Sequence, residues 1–199
     1  RLTLHRDYCA ATGMAHQFIK QHEAICAYAE EMERLYSLYI PNVHAEHKKK
    51  VEEVLPEWRI GNTVYTSGIV NKNNPLKYHF DTGNFNGVYS AMLVLRSGTR
   101  GGDLLLPEYG IQFQLENDAI FIFDGQSVLH GVTPIFYDYP EAYRYSLVYY
   151  SLKQMAKCLP FEQELELVRE RKMKREIIRH NMPPEHRAYL EKHLTQKGY

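Results

Sequence analysis

Three side chains that can bind a metal ion stand at the ends of strand-like stretches of the sequence. His79 and Asp81 form an H-x-D pair in KYHFD, and His130 follows the apolar stretch AIFIFD. Side chains two positions apart on a strand share a face, so His79 and Asp81 can act together. Two imidazoles and one carboxylate on one side of a metal form a facial triad, which suits non-haem Fe(II) because three coordination positions stay open. An H-x-D pair on its own is also compatible with a surface turn.

Arg144 opens the β-rich run RYSLVYY, where it shares a strand face with Ser146. A guanidinium offers two parallel donors to a carboxylate, and a neighbouring hydroxyl adds another donor. The distal carboxylate of 2-oxoglutarate needs such a partner while its keto-acid end chelates iron. Arg144 alone is equally compatible with a surface salt bridge. The ordered combination of H-x-D, His and R-x-S favours an Fe(II)- and 2-oxoglutarate-dependent oxygenase.

The length and composition of the chain are those of one globular domain. It has 199 residues, of which 44% are apolar, and its 24 basic side chains balance its 24 acidic ones. This length is sufficient to bury a core. We therefore predict a single domain over residues 1–199, made of a helical N-terminal layer (1–57), a β core with the site (58–152) and C-terminal helices (153–199). The balanced charge limits any DNA contact to a local patch.

Apolar residues repeat at helical spacing on both sides of the β core. The spacing predicts helices over 14–39 and 43–55, a charged helix after Pro160 and a short helix ending near Leu194. Between them, short β-branched and aromatic runs alternate with turn signals such as RSGTRGG. These runs show no βαβ alternation, so we predict an α+β fold with an antiparallel sheet or barrel at its centre.

Other kinds of site are not indicated by the sequence. It has no Walker-type phosphate loop, no G-x-G-x-x-G fingerprint and no G-x-S-x-G elbow. No apolar run approaches the roughly 20 residues that span a membrane. His44 and His47 have H-x-x-H spacing on a Lys-rich stretch, and without a third ligand we expect both to be exposed to solvent. Cys9, Cys26 and Cys158 lack C-x-x-C spacing, which indicates free thiols in a reducing compartment.

Four motifs resemble those of one family, the TET/JBP family of Fe(II)/2-oxoglutarate-dependent nucleic-acid base dioxygenases. HFDTGN is similar to its H-x-D-x-x-N, and GGDLLLPEYG to its glycine pair and Leu-rich strand. NDAIFIFDGQSVLHGVTPI resembles its strand leading to the distal His, and RYSLVYY its R-x-S-L-V-[FY]-Y. The similarity covers roughly Val64 to Ser151 and is greatest to compact phage or microbial members.

The resemblance implies a double-stranded β-helix (jelly-roll or cupin-like) core flanked by N-terminal and C-terminal helices. It also implies a set of catalytic and cofactor-binding residues. Fe(II) would be bound by His79, Asp81 and His130, which are the catalytic residues. The co-substrate 2-oxoglutarate would be held by Arg144 with help from Ser146, and O2 is the other co-substrate.

The resemblance further implies two contacts with a substrate base. Asn84 would reach the Watson–Crick edge of a base flipped out of DNA, and Tyr150 would stack on that base. In animal members a His that also contacts the base follows two residues after the stacking Tyr, and here that position is Leu152. The preference between 5-methylcytosine and thymine therefore stays open.

The activity implied by the resemblance is hydroxylation of the 5-methyl group of a pyrimidine in DNA, with decarboxylation of 2-oxoglutarate to succinate. We expect DNA as the partner, with no membrane and no evident protein partner. The expected location is intracellular, in the nucleus or, for a phage-encoded chain, in the host cytoplasm. The alternative is a dioxygenase of the same fold that acts on RNA, protein or a small molecule. A catalytically silent binding module is disfavoured because such a module has no need of an intact ligand set.

One local basic stretch lies outside these motifs. Residues 169–179 carry six basic and two acidic side chains. These basic side chains can contact DNA phosphates. They are also compatible with the solvated face of a surface helix, and the sequence favours this second interpretation.

Overall fold

The computed structural model describes residues 9–186 and residue 188. The chain divides into two compact units. Residues 11–158 form the larger unit, and the described residues from Leu159 onward belong, with Cys9 and Ala10, to the second. A single domain over residues 1–199 stays a prediction.

The larger unit begins with three helices: α1 (Gly13–Gln17), α2 (Ile19–Tyr39) and α3 (Pro41–Val51). The predicted single helix over 14–39 is interrupted at Phe18, whose φ of −127° and ψ of 59° lie outside the helical region. Apolar spacing continues across that position, which is why the sequence did not indicate the break. The second predicted helix begins earlier than expected, since Pro41 occupies its first turn, where a missing N–H costs nothing.

Nine strands follow in the larger unit, and every pairing between them is antiparallel. They are β1 (Ser67–Lys72), β2 (Ser90–Ser97), β3 (Thr99–Gly101), β4 (Leu104–Leu106), β5 (Ile111–Phe113), β6 (Ala119–Phe123), β7 (Gly131–Val132), β8 (Ile135–Tyr137) and β9 (Tyr143–Tyr150). They form a four-stranded sheet in the order β1-β9-β2-β6, a three-stranded sheet in the order β5-β4-β7, and the pair β3-β8. The predicted α+β class with an antiparallel core is confirmed.

The pair β3-β8 corrects the interpretation of RSGTRGG as a turn throughout. Thr99–Gly101 is a strand in register with Ile135–Tyr137. The positive φ values that the turns need are found before the strand, at Gly98 (61°), and at its end, at Gly101 (67°) and Gly102 (72°). Glycine adopts positive φ without a steric penalty, so the glycines correctly indicated a turn, but the turn predicted from them was too long.

The apolar core lies between the four-stranded and three-stranded sheets. Met92 and Val94 of β2 face Leu104 and Leu106 of β4, and Val148 of β9 packs against the same cluster. Residues at alternate positions of each strand therefore supply the core, as period-two patterning requires. On the opposite face of β9, Tyr149 contacts α2, where its hydroxyl donates to the Ile25 carbonyl at 2.8 Å. This end of the strand is thus covered on both faces.

The second unit contains α4 (Phe161–His180), which confirms the charged helix predicted after Pro160. Its described basic side chains are exposed, and two of them pair with acids of the same helix. Arg171 lies 3.8 Å from Glu164, and Lys174 lies 3.8 Å from Glu170. This pairing supports the interpretation as a solvated surface helix. The predicted helix ending near Leu194 lies outside the described residues, apart from a helical start at 184–186.

Two expectations about environment meet different outcomes. No helix within the described residues is long and apolar enough to cross a membrane. The expectation of three free thiols is wrong for two of them: Cys26 is free, whereas Cys9 and Cys158 are disulfide-bonded. A disulfide depends on the distance between sulfurs after folding, and sequence spacing does not contain that distance.

Candidate metal centre

His79 and His130 are brought together by a bridge between their backbones. The His79 N–H donates to the His130 carbonyl at 2.9 Å, and the His130 N–H donates to the His79 carbonyl at 3.1 Å. This pairing is an isolated bridge outside the named strands. It holds the two imidazole centroids 4.3 Å apart. The predicted meeting of the two histidines is therefore present in the fold.

The orientation of both rings is set by carbonyl groups close by in the sequence. Nδ1 of His79 lies 2.8 Å from the Lys77 carbonyl, and Nδ1 of His130 lies 2.9 Å from the Val128 carbonyl. A carbonyl can only accept, so Nδ1 carries the proton and Nε2 keeps its lone pair. Both Nε2 atoms face Asp81 Oδ1, at 3.6 Å from His79 and 3.9 Å from His130.

Asp81 is fixed in this position by the backbone of Gly125. The Asp81 N–H donates to the Gly125 carbonyl at 2.8 Å. A Cβ atom at Gly125 would overlap Asp81 Oδ2 and lie 3.4 Å from His130 Cε1. The absence of a side chain at residue 125 therefore leaves room for the carboxylate. The sequence motif DGQSV contains this glycine, but nothing in its spacing indicated the contact.

The donor set fits Fe(II). One ligand atom from each of His79, Asp81 and His130 lies within 4.8 Å of the others. Burial lowers the pKa of His130, which favours the neutral imidazole that a metal requires. The side chains of His79 and Asp81 are 36% and 29% exposed, whereas that of His130 is 8% exposed. The three donors thus lie on one side, with an open side for further ligands, as a facial triad needs.

Arg144 is the second part of the site, and two nitrogens of its buried guanidinium have no partner among the described residues. The residue is 2% exposed, and its Nε and Nη2 atoms have no hydrogen-bond partner within the described part of the chain. Burial lowers the pKa of Arg144 to about 10, so the side chain stays charged at neutral pH. A buried cation is costly unless an anion joins it. Arg144 therefore fits the distal carboxylate of 2-oxoglutarate and is not a surface salt bridge.

Arg96 shows what a structural arginine looks like in the same sheet. It lies directly opposite Arg144 across the β2-β9 pair. Its guanidinium donates to the Leu115 carbonyl at 3.0 Å and to the carbonyl and hydroxyl of Thr99. These contacts satisfy Arg96 within the protein, whereas the Arg144 donors remain available. The contrast fits the prediction that Arg144, and not Arg96, binds the carboxylate of the co-substrate.

Gly102 leaves room for the Arg144 side chain. It has φ 72°, and a Cβ atom there would lie 2.6 Å from Arg144 Cδ and Nε. The neighbouring Asp103 is buried, and its Oδ1 has no partner among the described residues, while Oδ2 accepts from Gln112 at 2.7 Å. Its charge favours the protonated form of Arg144. Sequence reasoning assigned Asp103 no role, although it stands next to the glycine pair.

Of the remaining predicted site residues, Ser146 and Tyr150 lie on β9 with Arg144, and Asn84 pairs with the segment that follows β9. Ser146 is buried on β9, two positions from Arg144. Asn84 is buried and its amide lies 3.3 Å from the Ser90 hydroxyl, to which it donates. Tyr150 is half-buried at the end of β9, where Leu152 pairs with Asn84 through a backbone bridge. Their contacts with a co-substrate or base stay predictions.

His44 and His47 are not exposed as predicted. His44 Nε2 lies 2.8 Å from Glu33 Oε1, and His47 is fully buried with Nε2 2.7 Å from the Ser151 hydroxyl. Lys48 and Lys49 are exposed because α3 is covered on one face only, whereas Lys50 is half-buried on the side of His47. Both histidines thus have structural partners within the fold.

Comparison with known proteins identifies the family of this chain. The family described as the oxygenase domain of the 2OGFeDO superfamily, Tet_JBP, matches residues 9–153. The chain belongs to the TET/JBP family of oxygenases. The superfamily implies Fe(II) and 2-oxoglutarate as cofactor and co-substrate. The His79, Asp81 and His130 donor set and the unpaired Arg144 guanidinium fit both of them.

Two curated relatives come from trypanosomes. The bifunctional helicase and thymine dioxygenase JBP2 of Trypanosoma brucei brucei (strain 927/4 GUTat10.1) is 31% identical over 106 residues, which are 53% of this chain and 10% of the relative. The thymine dioxygenase JBP1 of Trypanosoma brucei brucei is 23% identical over 117 residues, which are 58% of this chain and 14% of the relative. The chain thus spans a small part of these relatives.

A solved structure shows the same fold. NgTET1 in complex with 5mC DNA superposes with a TM-score of 0.58 at 17% identity, covering 73% of this chain and 56% of that one. This similarity confirms the double-stranded β-helix predicted from the motifs.

Proposed function

We propose that this chain hydroxylates the 5-methyl group of a pyrimidine, 5-methylcytosine or thymine, in DNA. The observation that carries the proposal is the joint presence of the His79, Asp81 and His130 donor set and a buried, unpaired Arg144. Two matched relatives are named thymine dioxygenases, and the matched NgTET1 structure is a complex with 5mC DNA. These similarities support a methylated base as the substrate class.

The protein's own residues bind and orient the reactants. When bound, Fe(II) would activate O2, the oxidant, and 2-oxoglutarate would supply two electrons as it becomes succinate and CO2; one oxygen atom of O2 goes to succinate and the other to the substrate methyl. Arg144 and Ser146 hold the distal carboxylate and so fix the position of the keto acid. The histidine Nδ1 contacts with backbone carbonyls keep both rings in ligating orientation.

The substrate enters from the open side of the site. His79 and Asp81 are partly exposed there, so a base can approach the metal without a rearrangement of the core. A base within duplex DNA must be flipped out, which costs a few kcal/mol. In this proposal Asn84 binds the Watson–Crick edge and Tyr150 stacks on the base. Apolar Val148, between Ser146 and Tyr150 on the same strand face, helps to exclude water.

The test is mass spectrometry of nucleosides after incubation of DNA with the protein, Fe(II), 2-oxoglutarate and ascorbate. Methylcytosine-containing and thymine-containing duplexes are compared in parallel. We expect a 5-hydroxymethyl product from one or both. Succinate formation without any modified nucleoside would retire the DNA proposal while leaving the dioxygenase class intact. The ratio of the two products decides between thymine and 5-methylcytosine.

One observation favours another substrate of the same enzyme class. Asn84 is buried, and its amide already donates to Ser90. A dioxygenase acting on RNA, protein or a small molecule needs no base-reading amide at that position. Replacing Asn84 with Ala distinguishes the two cases, because loss of DNA hydroxylation with retained 2-oxoglutarate turnover supports base contact.

A DNA substrate also implies an intracellular location, in a nucleus or an infected host's cytoplasm.

A further inference from the structure

The buried His47 of α3 is one end of a hydrogen-bond chain that runs through Ser151, just after β9, to Val64. The Ser151 hydroxyl donates to the Val64 carbonyl at 2.6 Å, and His47 Nε2 lies 2.7 Å from the same hydroxyl oxygen. Because a hydroxyl has one proton and Val64 receives it, His47 Nε2 must carry a proton and donate. His47 is therefore held in one tautomer, and its Nδ1 has no partner among the described residues.

Ser151 stands where the end of β9 meets the loop that follows the metal ligands. Its carbonyl accepts from the Phe85 N–H at 3.0 Å. Next to this contact, Leu152 pairs with Asn84 through a backbone bridge. The Lys153 N–H donates to the Gly83 carbonyl at 3.0 Å. The chain segment that carries Asn84 and the segment that carries Tyr150 are thus joined at Ser151.

We infer that His47 is a positioning residue for substrate: it fixes Ser151 and thereby the relative placement of Asn84 and Tyr150. The inference rests on the proposed function, because those two residues are the proposed base contacts. His47 itself touches neither the metal ligands nor Arg144, so iron and 2-oxoglutarate binding are expected to be independent of it. A displacement of about 1 Å at a substrate contact can reduce the rate roughly a hundredfold.

The replacements at His47 differ in how far the side-chain nitrogen extends from Cα toward Ser151. His47→Gln places an amide nitrogen the same number of bonds from Cα as the His Nε2, so it restores the donor to Ser151. His47→Asn ends one bond short and removes the donor. Ser151→Ala removes the acceptor with the loss of a single oxygen atom, and it keeps the test valid where a change at His47 prevents folding. The matched control is Val51→Ala, a core truncation on the same helix.

We expect His47→Asn and Ser151→Ala to raise the KM for DNA about tenfold or more, by misplacing the base contacts. The KM for 2-oxoglutarate and the iron content should stay within about twofold of wild type, since neither the metal ligands nor Arg144 is changed. His47→Gln should restore the wild-type KM for DNA. Val51→Ala should lower Tm at least as much as the other changes and leave that KM unchanged, because it destabilises the fold without moving Ser151.

A second measurement separates this inference from the proposed function. Hydrogen exchange at the Phe85 and Lys153 amides reports the junction at Ser151 directly, whatever the substrate. We expect faster exchange there in His47→Asn and Ser151→Ala than in Val51→Ala at equal global stability. A wild-type protein that makes no 5-hydroxymethyl product disproves the proposed function alone. Unchanged exchange and unchanged KM for DNA in both variants, or an equal rise of KM in Val51→Ala, would overturn the role of His47.

Discussion

His79 and His130, remote in the sequence, exchange two backbone hydrogen bonds and present both Nε2 atoms to the same carboxylate oxygen of Asp81. The bridge fixes their distance, and the carbonyls of Lys77 and Val128 fix their rings. Backbone hydrogen bonds thus hold each of the three ligands in place. Such preorganisation lowers the cost of assembling the site.

Removal of the carboxylate should separate catalysis from DNA binding. Asp81→Ala leaves two imidazoles, which cannot complete a facial triad, so we expect iron affinity to fall by at least ~100-fold. Product formation should be lost with it. DNA affinity, measured by fluorescence anisotropy, should stay within about twofold because the base contacts are unchanged. A variant that binds iron normally and still makes product would contradict the assignment of Asp81.

Gly125 is expected to tolerate no side chain. In Gly125→Ala the new Cβ would meet Asp81 Oδ2, which must move away from the histidines. We expect iron affinity to fall about tenfold or more while circular dichroism stays that of the wild type. Gly13→Ala is the matched control, since among the described side chains its Cβ would meet only that of Gln17, at 3.9 Å, and Ala favours helix. Equal iron affinity in both variants would show that residue 125 does not position Asp81.

Arg144→Lys should weaken co-substrate binding because a lysine cannot donate the two parallel bonds of a guanidinium. We expect the KM for 2-oxoglutarate to rise about tenfold to a hundredfold, which corresponds to the loss of a charge-assisted hydrogen bond. Arg96→Lys is the control on the neighbouring strand. It should lower Tm and leave that KM unchanged, since Arg96 is bonded to Leu115 and Thr99. The reverse pattern would exchange the roles assigned to the two arginines.

Gly102→Ala also tests the position of Arg144, by changing the residue that packs against its side chain. A Cβ there would contact Arg144 Cδ and Nε, and the φ of 72° adds backbone strain. We expect a higher KM for 2-oxoglutarate together with lower stability. Calorimetric titration of 2-oxoglutarate with Mn(II) in place of iron measures the affinity without turnover. Affinity equal to wild type would place the Arg144 side chain away from residue 102.

Part of this architecture was predictable because it is encoded locally. Alternation along RYSLVYY predicts the shared face of Arg144 and Ser146, and H-x-D spacing predicts that His79 and Asp81 act together. Glycine and proline positions gave most element boundaries. His130 was proposed as the third ligand from its place after AIFIFD, and the resemblance of the motifs implies the same role. The pairs within each motif depend on residues a few positions apart, where sequence spacing and spatial distance are closely related.

The features that sequence reasoning missed depend on contacts between distant segments. Gly125 matters because of Asp81, and His47 is buried because Ser151 and Tyr65 lie against α3. The break at Phe18 and the strand Thr99–Gly101 likewise follow from packing and pairing with other segments. Neither periodicity nor composition contains these distances. The lysines next to His47 even indicated the opposite environment, since they describe only the exposed face of the helix.

The buried, neutral state of His47 predicts acid sensitivity. Burial, with smaller contributions from His44 and Lys50, lowers its pKa from 6.5 to about 3. Between these values the unfolded chain binds a proton that the native state does not, so the free energy of unfolding should fall by about 1.4 kcal/mol per pH unit as pH decreases from 6.5. Above pH 6.5 this contribution is constant. Urea unfolding of wild type and His47→Gln across pH 4 to 8 measures the difference, because the Gln variant lacks the titrating group. Parallel curves for the two proteins would mean that His47 is already protonated in the native state or is not buried.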